Sequence, residues 1–164
     1  MSEKLFDCQQ MFRHACAFAE CADMAEAKFR HDTADIEWYT TPAIVNSAFA
    51  CEVYLKAILL YNDIKTPNTH ELKELFDLLP EGVRCFVDPE VWNSVRIMPE
   101  DPLGRSQIEL ISNSFNEWRY SYEIIGKKRA SMSIDRSFLK AFRDALREAC
   151  CELFFKTTWE EYQG

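Results

Sequence analysis

The residues TPAIVNSAFACEVYLKAILLY, positions 41–61, decide the fold class of this chain. Ile44, Ala48, Cys51, Leu55 and Ile58 recur at steps of four, three, four and three, the spacing of one face of an α-helix. Thr41 is a capping residue. Pro42 suits the first helical position, where an N–H would have no partner anyway, so the helix is expected to begin there. It lasts to about Tyr61, roughly 30 Å. Asn46, Glu52 and Lys56 interrupt the apolar run, which therefore reads as too polar to span a membrane.

The same alternation continues outward. Leu5, Cys8, Phe12, Ala15, Ala19 and Ala22 predict a first helix reaching about Arg30, with residues 31–41 as a polar connection. After a turn at 62–68, Thr69 is expected to cap a short third helix with Leu72, Leu75, Phe76 and Leu79 inward. Pro80 and Gly82 interrupt it, and Asp88–Pro89 is expected to cap a further turn through Val91, Trp92 and Val95. Residues 98–104 read as a loop. Ile108, Ile111, Phe115, Trp118, Tyr122 and Ile125 predict a fourth helix closed by Gly126. Phe138, Phe142, Leu146, Ala149 and Leu153 mark a last helix from about Ile134 toward Trp159. With only four glycines and six prolines, the chain lacks the turns of a β-sandwich or barrel. The expected fold is all-α, a bundle of four to five helices in which residues 1–164 form one domain.

A chain of 164 residues buries roughly two-thirds or more of its unfolded surface, so no metal or disulfide is needed to hold it. Seven cysteines, an odd number without a CxxC pair, read as reduced thiols in a cytoplasm. His14, Cys16 and Cys21 lie close in sequence but spread around one helix without a usual zinc spacing. Small buried thiols are expected there, with no metal and no cofactor. Residues 1–10 lack the apolar run of a signal peptide.

The formal net charge of −8 disfavours indiscriminate binding to nucleic acid. Residues 127–147 depart from that average. Lys127, Lys128, Arg129, Arg136, Lys140, Arg143 and Arg147 stand there against Asp135 and Asp144, an excess of +5 that leaves −13 elsewhere. Arg136, Lys140, Arg143 and Arg147 step by four, three and four, so they align along one side of the last helix. A solvated face is the ordinary reading of such a row. Because its charges share one sign, a phosphate-binding strip for nucleic acid, extended by Lys127, Lys128 and Arg129, is the functional one.

Two further sets could hold a ligand. Glu52 and Lys56, four apart in the favourable order, form either a surface pair or part of a polar groove. Asn116, Arg119, Tyr120 and Glu123 fall on one face of the predicted fourth helix, opposite Phe115, Trp118 and Tyr122. An arginine among aromatics suits a planar, charged or base-containing ligand. The alternative is an Arg119–Glu123 pair on a solvated face. Together, Glu52, Lys56, Asn116, Arg119, Tyr120 and Glu123 are expected to converge on one cleft. Phosphate-loop, dinucleotide, GxSxG and HExxH motifs are all missing.

Three stretches together resemble the HEPN domain family. Asn46-Ser-Ala-Phe-Ala-Cys-Glu52-Val-Tyr-Leu-Lys56-Ala is similar to that family's second-helix pattern. His70-Glu-Leu-Lys-Glu-Leu75 is similar to its His-Asp-Leu-x-x-Leu segment, and Phe115-Asn-Glu-Trp-Arg119-Tyr120-Ser-Tyr-Glu123 to its later Arg-Tyr segment. The resemblance spans roughly residues 42–125. It implies a helical bundle that dimerises and often meets RNA or a nucleotide at the dimer cleft. Ribonuclease members carry Arg, then four to six intervening residues, then His. At those distances after Arg119 stand Ile124, Ile125 and Gly126, and no arginine precedes His14, His31 or His70 at that spacing.

The expected function is therefore binding of RNA or a nucleotide, in a prokaryotic defence or toxin–antitoxin setting, without canonical ribonuclease chemistry. A homodimer is expected, with a protein partner such as a nucleotidyltransferase or antitoxin, and no membrane. The alternative is a non-catalytic dimeric interaction module. A third reading is a divergent nuclease using Glu52, Arg119 and Glu123.

Overall fold

A computed structural model describes residues 3–28, 33–94, 106–120 and 134–164, with side chains given for all of these except 33–37 and 88–94. Among them the regular structure is helical throughout. The elements are α1 (Glu3–Lys28), α2 (Thr33–Tyr61), α3 (Leu72–Asp77), α4 (Glu81–Ser94), α5 (Gln107–Ile111), α6 (Ser114–Arg119), α7 (Arg136–Phe155) and α8 (Trp159–Gln163).

The predicted inner faces of the long helices are buried apart from Leu5 and Leu153, which are partly buried against the core. On α1 these are Cys8, Phe12, Ala15, Ala19 and Ala22, and the small side chains among them, Cys8 and the three alanines, let α1 lie close along α2. On α2, burial runs well beyond the predicted stripe: Ala50, Tyr54, Ala57 and Leu59 are covered as fully as Ile44, Ala48, Cys51, Leu55 and Ile58. A helix that is apolar nearly all round belongs at the centre, and α2 indeed packs against α1, α3, α6 and α7. Contrary to the expectation from Asn46, Glu52 and Lys56, Trp38–Tyr61 is long and apolar enough by composition to cross a membrane. Yet 67% of that window is buried within the bundle, the position of a core helix.

Pro42 does not open α2. The helix begins at Thr33 and passes through it, so much of the expected polar connection is helical. An interior proline leaves the carbonyl four residues earlier without its usual donor. Here that residue is Trp38, 77% exposed, where water can take the donor's place. Nor does Asp88–Pro89 start a separate turn, because α4 runs through it from Glu81. The Pro80 carbonyl accepts from the Val83 and Arg84 amides and so closes the first turn of α4. The expected closures at residues 98–104 and at Gly126 lie outside the described residues.

The predicted fourth helix is broken. α5 ends at Ile111, the chain turns through Ser112 and Asn113, and α6 follows. The break serves α3. The Leu72 amide donates to the Ser112 carbonyl at 3.0 Å and the Lys73 amide to the Ser112 hydroxyl at 3.1 Å. Two N–H groups that α3 cannot pair internally are thereby satisfied from a distant part of the chain. The expected cap, Thr69, instead accepts from Glu71 just ahead of the helix.

Asp135 caps α7 by accepting from the Phe138 amide at 3.0 Å. Lys156, with φ 58°, closes α7, and Thr158 and Glu161 form a reciprocal capping box for α8. The chain thus folds back so that Tyr162 and Trp159 pack on Phe12, with ring centroids 5.3 and 6.3 Å apart.

Candidate functional site

α2 presents Glu52 and Lys56 one turn apart. Glu52 is 2% exposed, and an unpaired carboxylate there would be costly. Lys56 Nζ donates to Glu52 Oε1 at 2.7 Å, and His70 Nδ1 stands 3.0 Å from both carboxylate oxygens. His70 comes from the segment between α2 and α3, and its side chain remains about half exposed (47%). The pair is therefore neither a free surface bridge nor an isolated buried charge, because the carboxylate anchors two basic side chains from below.

α6 supplies the opposite wall. Phe115, almost buried, stacks on Phe49 of α2 with centroids 5.1 Å apart, and the His70 ring lies 5.3 Å from it. Arg119 turns back over the same ring, its Cζ 4.9 Å from the Phe115 centroid and 4.6 Å from that of Tyr120. It also donates to the Tyr120 hydroxyl at 2.5 Å. Arg119 was expected on a face opposite Phe115. The end of α6 at this residue frees its side chain to lie across the aromatic stripe instead.

Among the described residues, Glu52 and Arg119 make no direct contact. They are joined through His70 and Phe115. Asn116 lies half-buried in the same helix, and Glu123 is outside the described residues. Asn46 takes no part, since its amide donates to the Pro42 carbonyl of its own helix at 2.8 Å. His70 was not among the expected ligand residues, although it stands at the head of the His70–Leu75 stretch singled out in the sequence. Only the folded chain shows that it closes the gap between α2 and α6.

The row on α7 is corrected by the structure. Arg143 is fully buried, not part of an exposed strip. Its guanidinium donates to Asp23 Oδ1 at 2.6 Å, to the Ala19 carbonyl at 3.3 Å, to Asp144 Oδ1 at 3.3 Å and to Ser47 at 3.5 Å. Burial alone would lower the Arg143 pKa, but the hydrogen bond to Asp23 and the charges of Asp144 and Asp23 hold it above its ordinary value. Burial likewise would raise the Asp23 carboxyl, and Arg143, helped by Lys140, holds it below its ordinary 3.8.

Asp144 supplies the relief of repulsion that the row seemed to lack. It pairs with Lys140 at 3.0 Å, Arg143 at 3.3 Å and Arg147 at 3.0 Å. Arg147 also lies over the Trp159 ring at 4.3 Å, with its side chain 14% exposed. The shallow depression of about 450 Å³ along this side of α7 is lined by both signs: Lys140 and Arg147, Asp144 and Glu148. The row is therefore largely a structural clamp joining α1, α2 and α7. Arg136 is exposed at its start, and Lys127, Lys128 and Arg129 lie outside the described residues.

The expectation of buried thiols at Cys16 and Cys21 is corrected, because Cys21 is exposed and Cys16 only partly buried on α1, and Cys85 is exposed as well. Cys8, Cys51, Cys150 and Cys151 are buried and free, and Cys16 accepts a hydrogen bond from the buried Tyr54 hydroxyl at 3.3 Å. Burial raises the pKa of the Cys51 and Cys150 thiols and pushes Cys151 up to about 12, so none of these three is an activated nucleophile.

The HEPN domain model matches residues 21–137, more than half of the chain, and the match includes both walls of the α2–α6 cluster. No curated protein and no solved structure matches the chain.

Proposed function

The chain belongs to the HEPN domain family, and from that premise we propose that it binds RNA or a nucleotide at the cluster formed by Glu52, Lys56, His70, Phe115, Arg119 and Tyr120. One observation carries this reading. Arg119 lies across two aromatic rings, one of which, Phe115, also contacts His70, and His70 shares a buried carboxylate with Lys56. Basic groups suit phosphate, and exposed aromatic and guanidinium planes suit a base. Family membership supports the same reading, as does the absence of an arginine–histidine pair at the ribonuclease spacing, which favours binding over cleavage. Titration with mononucleotides and short single-stranded RNA tests it. Wild type is expected to bind and Arg119→Ala to bind more weakly with unchanged helicity. Equal binding by both proteins would remove Arg119 from the site.

The biological setting we propose is prokaryotic defence or a toxin–antitoxin pair, with a nucleotidyltransferase or antitoxin as partner. Its support is the family alone, and co-purification with the products of neighbouring genes tests it. The second reading, a dimeric interaction module without chemistry, draws on the α1–α2 end, where Trp38 and Met24 are 77% and 70% exposed. Large apolar side chains left in water favour an interface. Light scattering at tens of micromolar is expected to give a dimeric mass, reduced to a monomeric one by Trp38→Glu with Met24→Glu.

A further inference from the structure

The α2–α6 cluster has unmatched donors, and their number and charge point to one kind of anion. This step rests on the nucleotide reading above. Glu52 is a single buried negative charge with two basic partners, Lys56 and His70. Lys56 uses one of its three N–H donors on Glu52, and His70 engages the carboxylate only through Nδ1, so Nε2 is left for another group. Arg119 gives one N–H to Tyr120 and has no acidic partner among the described residues. The buried carboxylate fixes where Lys56 and His70 stand. His70 and Arg119 both contact the Phe115 ring, at 5.3 and 4.9 Å from its centroid, so this ring is the element the two share.

We propose that Lys56, His70 and Arg119 form a subsite for a phosphomonoester, the phosphorylated end of a nucleotide or short RNA, with Tyr120 beside it for the adjoining base. After Glu52 neutralises one positive charge, one remains, and a second is present when His70 is protonated. A phosphomonoester matches this with about −1.5 to −2 charges and three acceptor oxygens. A phosphodiester within a strand offers one charge and two free oxygens, so it leaves a donor group unmatched. Arginine adds geometric selectivity because its fork meets two phosphate oxygens at once. Tyr120 is 42% exposed and packed under the Arg119 guanidinium, which keeps an aromatic surface at the edge of the subsite.

The test is fluorescence anisotropy with one short RNA sequence carrying a 5′-phosphate, a 3′-phosphate or hydroxyls at both ends. A nucleoside monophosphate and inorganic phosphate serve as competitors. A phosphorylated end is expected to bind about tenfold or more tightly than the hydroxyl-ended RNA, the scale of a charge-assisted hydrogen bond. Competition by the monophosphate at comparable concentration would assign the subsite to free nucleotides, and its failure to compete would assign it to RNA ends. Arg119→Gln and His70→Gln are each expected to bring the preference for a phosphorylated end close to one, while the weaker binding of hydroxyl-ended RNA survives. Because His70→Gln disturbs the partner of a buried carboxylate, its melting curve is compared with wild type. If it unfolds, Arg119→Gln decides alone, since among the described residues the side chain's contacts are with Phe115 and Tyr120. Equal affinity for all three ends would overturn the phosphomonoester subsite and leave the nucleotide reading standing. Failure of every probe to bind would overturn both.

Discussion

Arg119 and Arg143 occupy opposite kinds of environment in the same bundle. Arg119 is exposed at the end of α6, resting on Phe115 and Tyr120. Arg143 is fully buried in the middle of α7, enclosed by Asp23, Asp144, Ser47 and the Ala19 carbonyl. Both read from sequence as groups that meet a ligand. A guanidinium already surrounded by acceptors has little left to offer an external anion, whereas one stacked on rings keeps most of its donors. The difference between a clamp and a site thus lies in what the neighbouring helices bring to each arginine.

The largest expected effect comes from charge reversal at the clamp. Arg143→Glu would bury a carboxylate against Asp23 and Asp144, and the expected result is loss of the cooperative helical melt, with or without Arg147→Glu. Arg143→Ala leaves Asp23 without its main partner and is expected to cost about 3–5 kcal/mol, the range for breaking a buried pair. That corresponds to roughly 6–20 °C in melting temperature for a chain of this size. A mild effect in either variant, followed by circular dichroism, would show that Arg143 does not hold α1, α2 and α7 together.

Arg119→Ala should show the opposite profile. Its guanidinium is exposed and its contacts are two rings, of which Tyr120 is itself exposed, so the stability loss is expected to be at most about 1 kcal/mol. Nucleotide or RNA affinity is expected to fall by about tenfold to a hundredfold, the scale of lost hydrogen bonds to a charged group. If melting falls as far as in Arg143→Ala while binding is unchanged, the two roles are reversed.

Acid should weaken the clamp. The folded-state pKa of Asp23 lies below 3.8, so its contribution to stability is fully present above that value and is lost as pH falls through the lowered one. Melting temperature measured from about pH 5 downward should therefore drop less steeply in Asp23→Asn than in wild type. The smallest effect is expected at Lys140, on the same helix as Arg143 and paired with the same two carboxylates, but 44% exposed. Lys140→Ala should cost no more than about 1 kcal/mol in a denaturant titration, as exposed ion pairs usually do. A cost equal to that of Arg143→Ala would mean that charge count, rather than burial, sets the strength of the clamp.

These outcomes also bear on how much of the site was legible in advance. Glu52, Lys56, Arg119 and Tyr120 stood out because each breaks or flanks an apolar pattern. His70 did not, since its partner lies 18 residues away on another helix. The α7 row misled because its basic residues share a period while Asp144, which pairs with three of them, lies one position off that period. On α2, the stripe identified one buried face correctly but concealed that the helix is covered on nearly all sides.

Helix content and the inner faces of α1, α2 and α7 followed from the sequence by itself, because a 3.6-residue period of apolar side chains is local information and survives without knowledge of neighbours. Tertiary structure decided the rest. It carried α2 through Pro42, where the residue whose carbonyl loses its donor, Trp38, is exposed to solvent. It broke the predicted fourth helix at Ser112, where capping α3 brings two orphan amides their acceptors. It also set Arg143 inside and Arg119 outside, because the energy of a charge depends on the solvent it loses and the partners it gains, and both are supplied by segments distant in the chain.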